Sequence, residues 1–193
     1  MKFDEKNDEA LIERCASSEQ IFDGVVLHVN RDMVTLPDGN SAVREVIRHV
    51  GAVCVVPLTE QNEVICVRQY RYPAAQVTLE IPAGKLNYKQ EDRREAVLRE
   101  LREETGVRCE KLTHLDAFYP APAYSDELID IYLAEGLSYG DTDPDEDEFI
   151  DTVRVPLEEL VDMALRGELP DAKTQMAVLR VWVMKQREEK KTC

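Results

Sequence analysis

No stretch of this chain approaches the run of about 18 apolar residues that a membrane-crossing helix needs. Its first residues, MKFDEKNDEAL, are charged where a secretory leader would be apolar. A soluble, cytoplasmic protein with no membrane contact is expected. Cysteine is sparse and scattered: Cys15, Cys54, Cys66, Cys109 and Cys193 stand singly, without a CxxC pair and with an odd total. That argues against a disulfide framework or a cysteine zinc site and fits free thiols in a reducing compartment. Positive charge is short as well. With 24 Lys and Arg against 39 Asp and Glu the net charge is −15, which disfavours nucleic acid or an anionic membrane as partner because both are held by basic surfaces. No internal repeat occurs at solenoid or propeller periods. The 193 residues suffice for one domain with a good core and a small appendage.

What is present is concentrated between Leu79 and Val107, LEIPAGKLNYKQEDRREAVLRELREETGV. An apolar, strand-like start at Leu79 and Ile81 meets Pro82 and Gly84, and a polar loop then leads into a helix dense with carboxylates. Asp92, with Glu95 three residues on, has capping-box spacing, and Gly106 supplies the left-handed residue that stops a helix. On that helix Glu100, Glu103 and Glu104 share one face, while Val97, Leu98, Leu101 and Thr105 form the neighbouring packing face. Like charges at these spacings cost roughly 0.2 to 0.5 kcal/mol per pair. Arg99, one turn before Glu103, and Arg102, on another face, neutralise only part of the patch. Two readings fit the face: a solvated Glu/Arg surface, or a site for a hard divalent cation that prefers oxygen ligands.

The longer spacing favours the second. Gly84, Glu91, Arg99-Glu100-Leu101, Glu103-Glu104 and Gly106-Val107 together resemble the Nudix box, the signature of hydrolases that cleave nucleoside diphosphates linked to another moiety. There is one departure. Lys85 to Gln90 makes six residues between Gly84 and Glu91, one more than the family pattern, and the extra residue falls in a loop, where insertions are tolerated. The resemblance implies an α/β Nudix fold, a mixed β-sheet sandwiched between α-helices. It also implies Mg²⁺, with Mn²⁺ as a substitute, held by Glu100, Glu103, Glu104 and the Ala83 carbonyl, with Arg99 orienting the carboxylates.

Ahead of this stretch, Gly24 to Val29, Asp32 to Leu36 and Ala42 to His49 read as short strands, with a strong turn signal at Pro37-Asp38-Gly39-Asn40. Met1 to about Ser18 reads as a polar arm or helical turn. Three short strands cannot bury a core alone, so residues 1–45 are expected to pack on the main domain, 46–193, or on a second subunit. His28 and His49 lack metal-ligand spacing and read as structural. Gly51 to Leu58, GAVCVVPL, has the continuous apolar character of a strand covered on both faces. Val64 to Tyr70 follows as a strand ending in VRQYRYP. There Arg68 and Arg71 alternate with Tyr70 and Tyr72, a pattern that either decorates a sheet edge or binds diphosphate oxygens and stacks a ring.

Beyond the helix, Cys109 to Ala117 and Leu128 to Ala134 read as strands. Between them Phe118 to Glu127, with Pro120, Pro122 and Ser125, forms an ordered loop of the kind that often carries recognition. Gly140 to Glu148, GDTDPDEDE, is the most acidic segment and by composition is a solvated loop, anchored downstream by a strand near Val153 to Val155. Two helices close the chain, Leu157 to Arg166 and Thr174 to Lys190. In the second, Met176, Val178, Leu179, Val181, Trp182 and Val183 recur at core spacing. Lys173 and Thr174 receive no chemical role.

Within the Nudix family the chain looks most like ADP-ribose pyrophosphatases. That branch carries an N-terminal sheet that builds a homodimer, binds substrate through the RQYR segment and the glutamate before the I-P-A-G turn, and marks ADP-ribose specificity with a proline-bearing loop. Carried over, this makes Arg68, Arg71, Glu80, Pro122 and Ser125 substrate-binding. It makes Glu146 the general base and Glu148 a further metal ligand, with Asp147 the neighbouring candidate. The expected activity is Mg²⁺-dependent hydrolysis of ADP-ribose to AMP and ribose 5-phosphate. Another nucleoside diphosphate sugar as substrate, and a Nudix-fold sensor that binds ADP-ribose without cleaving it, are the alternatives.

Overall fold

Every residue of Ala52–Pro57 is buried, as a strand covered on both faces requires. In a computed structural model of the protein, which describes residues 5–143 and 149–192, this strand organises the larger of two compact units, Gly51–Pro120 with Leu128–Cys193. The smaller unit comprises Met1–Val50 with Ala121–Glu127.

The smaller unit is a three-stranded antiparallel sheet of β1 (Arg14–Asp23), β2 (His28–Thr35) and β3 (Ser41–Arg48), in that order, preceded by a 3-10 turn at Glu5–Ala10. The strand bounds differ from the sequence expectation. Gly24 to Leu27 is the β1–β2 connection, closed by Gly24 N–H to the Leu27 carbonyl at 2.9 Å, and the first strand lies upstream. The ten residues RCASSEQIFD of that strand are all exposed, so they carry no alternation that would mark a buried face. The turn after β2 is where the sequence places it: Gly39 has φ +85° and donates to the Leu36 carbonyl at 2.9 Å. Residues 121–127 join this unit through β3. Ile47 N–H donates to the Tyr124 carbonyl at 2.7 Å, and Asp126 N–H donates to the Ile47 carbonyl at 3.2 Å.

The larger unit holds two sheets. One has the order β7 (Ala83–Lys85), β4 (Ala52–Pro57), β9 (Ile129–Tyr139), β8 (Val107–Phe118), with β4 and β9 parallel and the other pairs antiparallel. The other has the order β10 (Ile150–Pro156), β5 (Glu63–Arg71), β6 (Gln76–Glu80), all antiparallel. Three helices accompany them: α1 (Arg93–Thr105), α2 (Leu157–Leu165) and α3 (Ala172–Thr192). Strand alternation divides β4 between two layers. Ala52, Cys54 and Val56 join one core with Leu157, Leu160, Leu169, Ala177, Val178 and Val181, while Val53 and Val55 point the opposite way, and α1 also packs against β4. The mixed sheet is thus sandwiched between helices. On α3 the face centred on Ala177, Val178 and Val181 is buried, with Met176, Leu179 and Trp182 half-buried against it. Val183, 46 % exposed, lies outside the core face, because two residues from Val181 is a rotation of roughly 200°.

Burial raises the thiols of Cys54 and Cys66 to about 12, which makes both inert packing groups. Among the described residues no helix is long and apolar enough to cross a membrane.

Candidate active site

α1 begins where its cap allows. The Asp92 carboxylate accepts from Arg94 N–H at 2.8 Å and Glu95 N–H at 3.0 Å, satisfying two of the first-turn donors. The helix ends at Gly106, whose φ of +68° suits a residue without Cβ. Ala96, Val97, Leu101 and Thr105 are buried and Leu98 is half-buried, so the packing face faces inward and brings Glu100, Glu103 and Glu104 to one side of the β4–β7 pair. Glu104, 6 % exposed, accepts from Ala83 N–H at 3.1 Å. Two of the helix carboxylates therefore lie against β7, Glu104 bonded to Ala83 and Glu100 beside Gly84.

Arg99 is the internal counter-ion. Its Nη1 donates to Glu100 at 2.7 Å and to Glu103 at 3.2 Å, and Nη2 lies 3.5 Å from Glu91. Arg102 adds a bond to Glu103 at 2.9 Å. Burial alone would lower the Arg99 guanidinium, but the charges of Glu100, Glu91 and Glu103, with the bond to Glu103, raise it above its ordinary value. Its Nε and Nη2 are buried with no hydrogen-bond partner among the described residues.

The extra loop residue is accommodated by fastening the loop twice. Leu86 is buried and donates to the Gly51 carbonyl at 3.0 Å, and Asn87 N–H donates to Glu91 at 2.5 Å. Arg93 then bridges the Glu91 carbonyl at 3.2 Å and the buried Asp130 carboxylate at 3.1 Å.

Across the β5–β6 pair, Arg71 and Glu80 meet edge to edge, Nε to Oε1 at 2.8 Å and Nη2 to Oε2 at 2.7 Å. Glu80 is 2 % exposed and also accepts from Thr78 at 2.6 Å and from Lys173. Burial would raise its carboxyl; the Arg71 and Lys173 cations, with Thr78, outweigh that and hold it down at about 2. Arg71 is raised, first by its bond to Glu80 and then, against burial, by the charges of Glu80 and Glu104. Its Nη1 has no hydrogen-bond partner among the described residues. Arg68, half-exposed, pairs with Asp151 at 3.1 Å.

Pro122 and Ser125 fall in the smaller unit. Pro122 is exposed, and Ser125 bridges to Ile47 and bonds Glu127 N–H at 3.2 Å. Arg48 links the buried Asp32, at 2.5 Å, to Asp126 of the same segment, at 3.6 Å. Glu146, Asp147 and Glu148 lie outside the described residues. Sequence reasoning gave no part to Lys173, Asp171, Thr174 or Thr78. The one local signal was Asp171, three residues before Thr174, at N-cap spacing.

Among the described residues no three His, Cys, Asp or Glu side chains converge closely enough to hold a metal ion as they stand, but the residue types on this face are those a hard divalent cation takes. Carboxylates and a carbonyl are its preferred ligands, and the turn leaves room for them: a Cβ added at Gly84 would fall on the Glu100 carboxylate. A family model described as the NUDIX domain matches residues 48–177. The chain belongs to the Nudix family. It is 41 % identical over 171 residues to an ADP-ribose pyrophosphatase of Bacillus subtilis, covering 88 % of this chain and 92 % of that one. It is 43 % identical over 168 residues to a methanol dehydrogenase activator of Bacillus methanolicus, covering 86 % and 90 %. Among solved structures, the crystal structure of an ADP compounds hydrolase superposes with a TM-score of 0.79 at 26 % identity, covering 90 % of this chain and 95 % of that one. Nudix hydrolases generally use a divalent metal.

Proposed function

We propose that this Nudix hydrolase cleaves the diphosphate bond of ADP-ribose, giving AMP and ribose 5-phosphate, with Mg²⁺ as its metal and Mn²⁺ as a substitute. The observation that carries the reading is the pairing of a carboxylate face on α1 with an arginine, Arg71, that is held by Glu80, influenced by the Glu104 charge and left with Nη1 to offer. A diphosphate repels an incoming hydroxide, so cleavage requires charge neutralisation and a nucleophile available near pH 7. When bound, the metal supplies both, neutralising phosphate oxygens and lowering the pKa of water from about 15.7 toward 7. Glu100, Glu103, Glu104 and the Ala83 carbonyl would hold it, with Glu148 as a further ligand. Arg99 keeps the carboxylates in register. Arg71 and Arg68 bind the diphosphate, Glu80 takes part through Arg71, and Pro122 and Ser125 belong to the recognition loop. Glu146 takes the proton of the attacking water.

The 41 % identity to an ADP-ribose pyrophosphatase supports the substrate. The scattered cysteines support a cytoplasmic location. Exposed Ile21, Phe22, Val26 and Leu27 in and after β1 support residues 1–45 as a homodimerisation element; light scattering on the eluted protein is expected to give twice the chain mass. The likeness to a methanol dehydrogenase activator supports a second role for the same chemistry, modulation of a dehydrogenase, tested by adding this protein to a methanol dehydrogenase assay.

The deciding experiment is phosphatase-coupled phosphate release from ADP-ribose, ADP-glucose, GDP-mannose and UDP-glucose, each with Mg²⁺ and with EDTA. ADP-ribose is expected to lead and EDTA to abolish the signal. A different leading substrate would move the specificity to another sugar diphosphate, and ligand binding without cleavage would make the protein a sensor.

A further inference from the structure

Lys173 opens α3 and has no part in the chemistry set out above. Its side chain, 13 % exposed, lies between two carboxylates, that of Glu80 and that of Asp171, the latter at 3.0 Å. Together with Arg71 they form a cluster of two cations and two carboxylates with no net charge. Asp171 also accepts from Thr174 N–H at 2.9 Å and from its hydroxyl at 2.5 Å, and the Thr174 hydroxyl accepts from Ile81 N–H at 2.9 Å. The cluster thus spans β5, β6, the start of α3 and the residue two before Ala83. A buried ion cluster contributes little net stability compared with apolar packing, while losing one member is costly; what it fixes matters more than what it stabilises. What it fixes is Arg71, whose Nε and Nη2 are both committed to Glu80, so the guanidinium plane and the direction of Nη1 follow the carboxylate.

We propose that Lys173 is a positioning residue for diphosphate binding: by sharing the Glu80 carboxylate with Arg71, and by anchoring Ile81 through Asp171 and Thr174, it sets the direction in which Arg71 Nη1 is offered to substrate. The identity of the substrate rests on the ADP-ribose reading above; the geometry does not. Without the lysine the cluster carries one net negative charge, Glu80 draws on Arg71 alone, and the diphosphate meets a less positive wall.

The test uses the full chain with Lys173→Met and Lys173→Arg. Losing one charge-assisted contact is expected to raise KM for ADP-ribose about tenfold in K173M with kcat within about twofold, and K173R is expected to restore KM to within about threefold. Carboxyl-carbon NMR of Glu80 is expected to show its titration midpoint moved up by about one pH unit or more in K173M and not in K173R. Should K173M not fold, Thr174→Val carries the test, with faster amide exchange at Ile81 and a raised KM expected. A KM within about twofold of the unaltered protein, or an unmoved Glu80 midpoint, overturns the proposal. If the unaltered protein fails to cleave ADP-ribose, the substrate reading falls, and the Glu80 titration still decides the role of Lys173.

Discussion

The backbone N–H of Asp143 donates to the carbonyl of Glu103 at 3.0 Å. On the far side of the acidic run, the Thr152 hydroxyl reaches the carbonyl of Glu104 at 3.5 Å. Both flanks of residues 144–148 are therefore tied to the turn of α1 that carries two adjacent box carboxylates. If Glu146 is the general base, Glu146→Gln lowers kcat by about 10² to 10⁴ and leaves KM and the melting temperature near those of the unaltered protein. Asp147→Asn is expected to stay within a few-fold. Steady-state kinetics on the two variants decide between the neighbours: a larger loss in D147N moves the base by one residue.

Gly84 is required by its neighbour and not by its backbone, since a Cβ there would occupy the position of the Glu100 carboxylate. Gly84→Ala therefore pushes Glu100 aside without straining the chain. The Mg²⁺ concentration giving half-maximal activity is expected to rise about tenfold or more, as for other disturbances of ligand orientation, with little change in melting temperature. A G84A protein with unaltered Mg²⁺ demand would separate Glu100 from the metal site.

Glu104→Gln isolates charge from geometry. The glutamine keeps a carbonyl oxygen to accept the Ala83 N–H now held at 3.1 Å, so the turn and the fold survive while one negative charge leaves the metal face. Turnover is expected to fall by about 10² or more, several kcal/mol of transition-state stabilisation being at stake. Circular dichroism checks the fold and phosphate release the activity; near-normal turnover would remove Glu104 from the ligand set.

The parts legible in the sequence are those whose signals are local. Asp92 and Gly106 bound α1 because a cap and a left-handed stop act within a few residues. GAVCVVPL reads as a doubly covered strand because burial on both faces leaves a continuous apolar run. β1 is illegible for the opposite reason: exposed at all ten positions, it forms through pairing with β2 and not through a buried face. The attachment of residues 121–127 to Ile47 and the meeting of Lys173 with Glu80, 93 residues apart, are long-range pairings that no window of sequence contains. Hence the carboxylate face can be named from its spacing, whereas the cluster behind Arg71 cannot.

That cluster also gives the protein a pH signature. Glu80 has a folded-state pKa of about 2 against an ordinary value of 4.5, so folding favours its ionised form. A depressed carboxyl contributes stability that is fully present above the unfolded pKa and is lost as pH falls through the folded one. The window therefore runs from about pH 5 down to about pH 2. Above it the full contribution is on the order of 3 kcal/mol, because each tenfold change in proton affinity between the unfolded and folded chain is worth roughly 1.4 kcal/mol. Glu80→Gln gives this up and leaves Arg71 and Lys173 facing each other, so E80Q is expected to be markedly less stable at pH 7. Its deficit should shrink as pH falls through the window, because protonation progressively removes the same charge from the unaltered protein. Urea denaturation of both proteins at pH 7, 5 and 3.5 measures this. A deficit that stayed constant with pH would mean that Glu80 acts by packing and that its charge is idle.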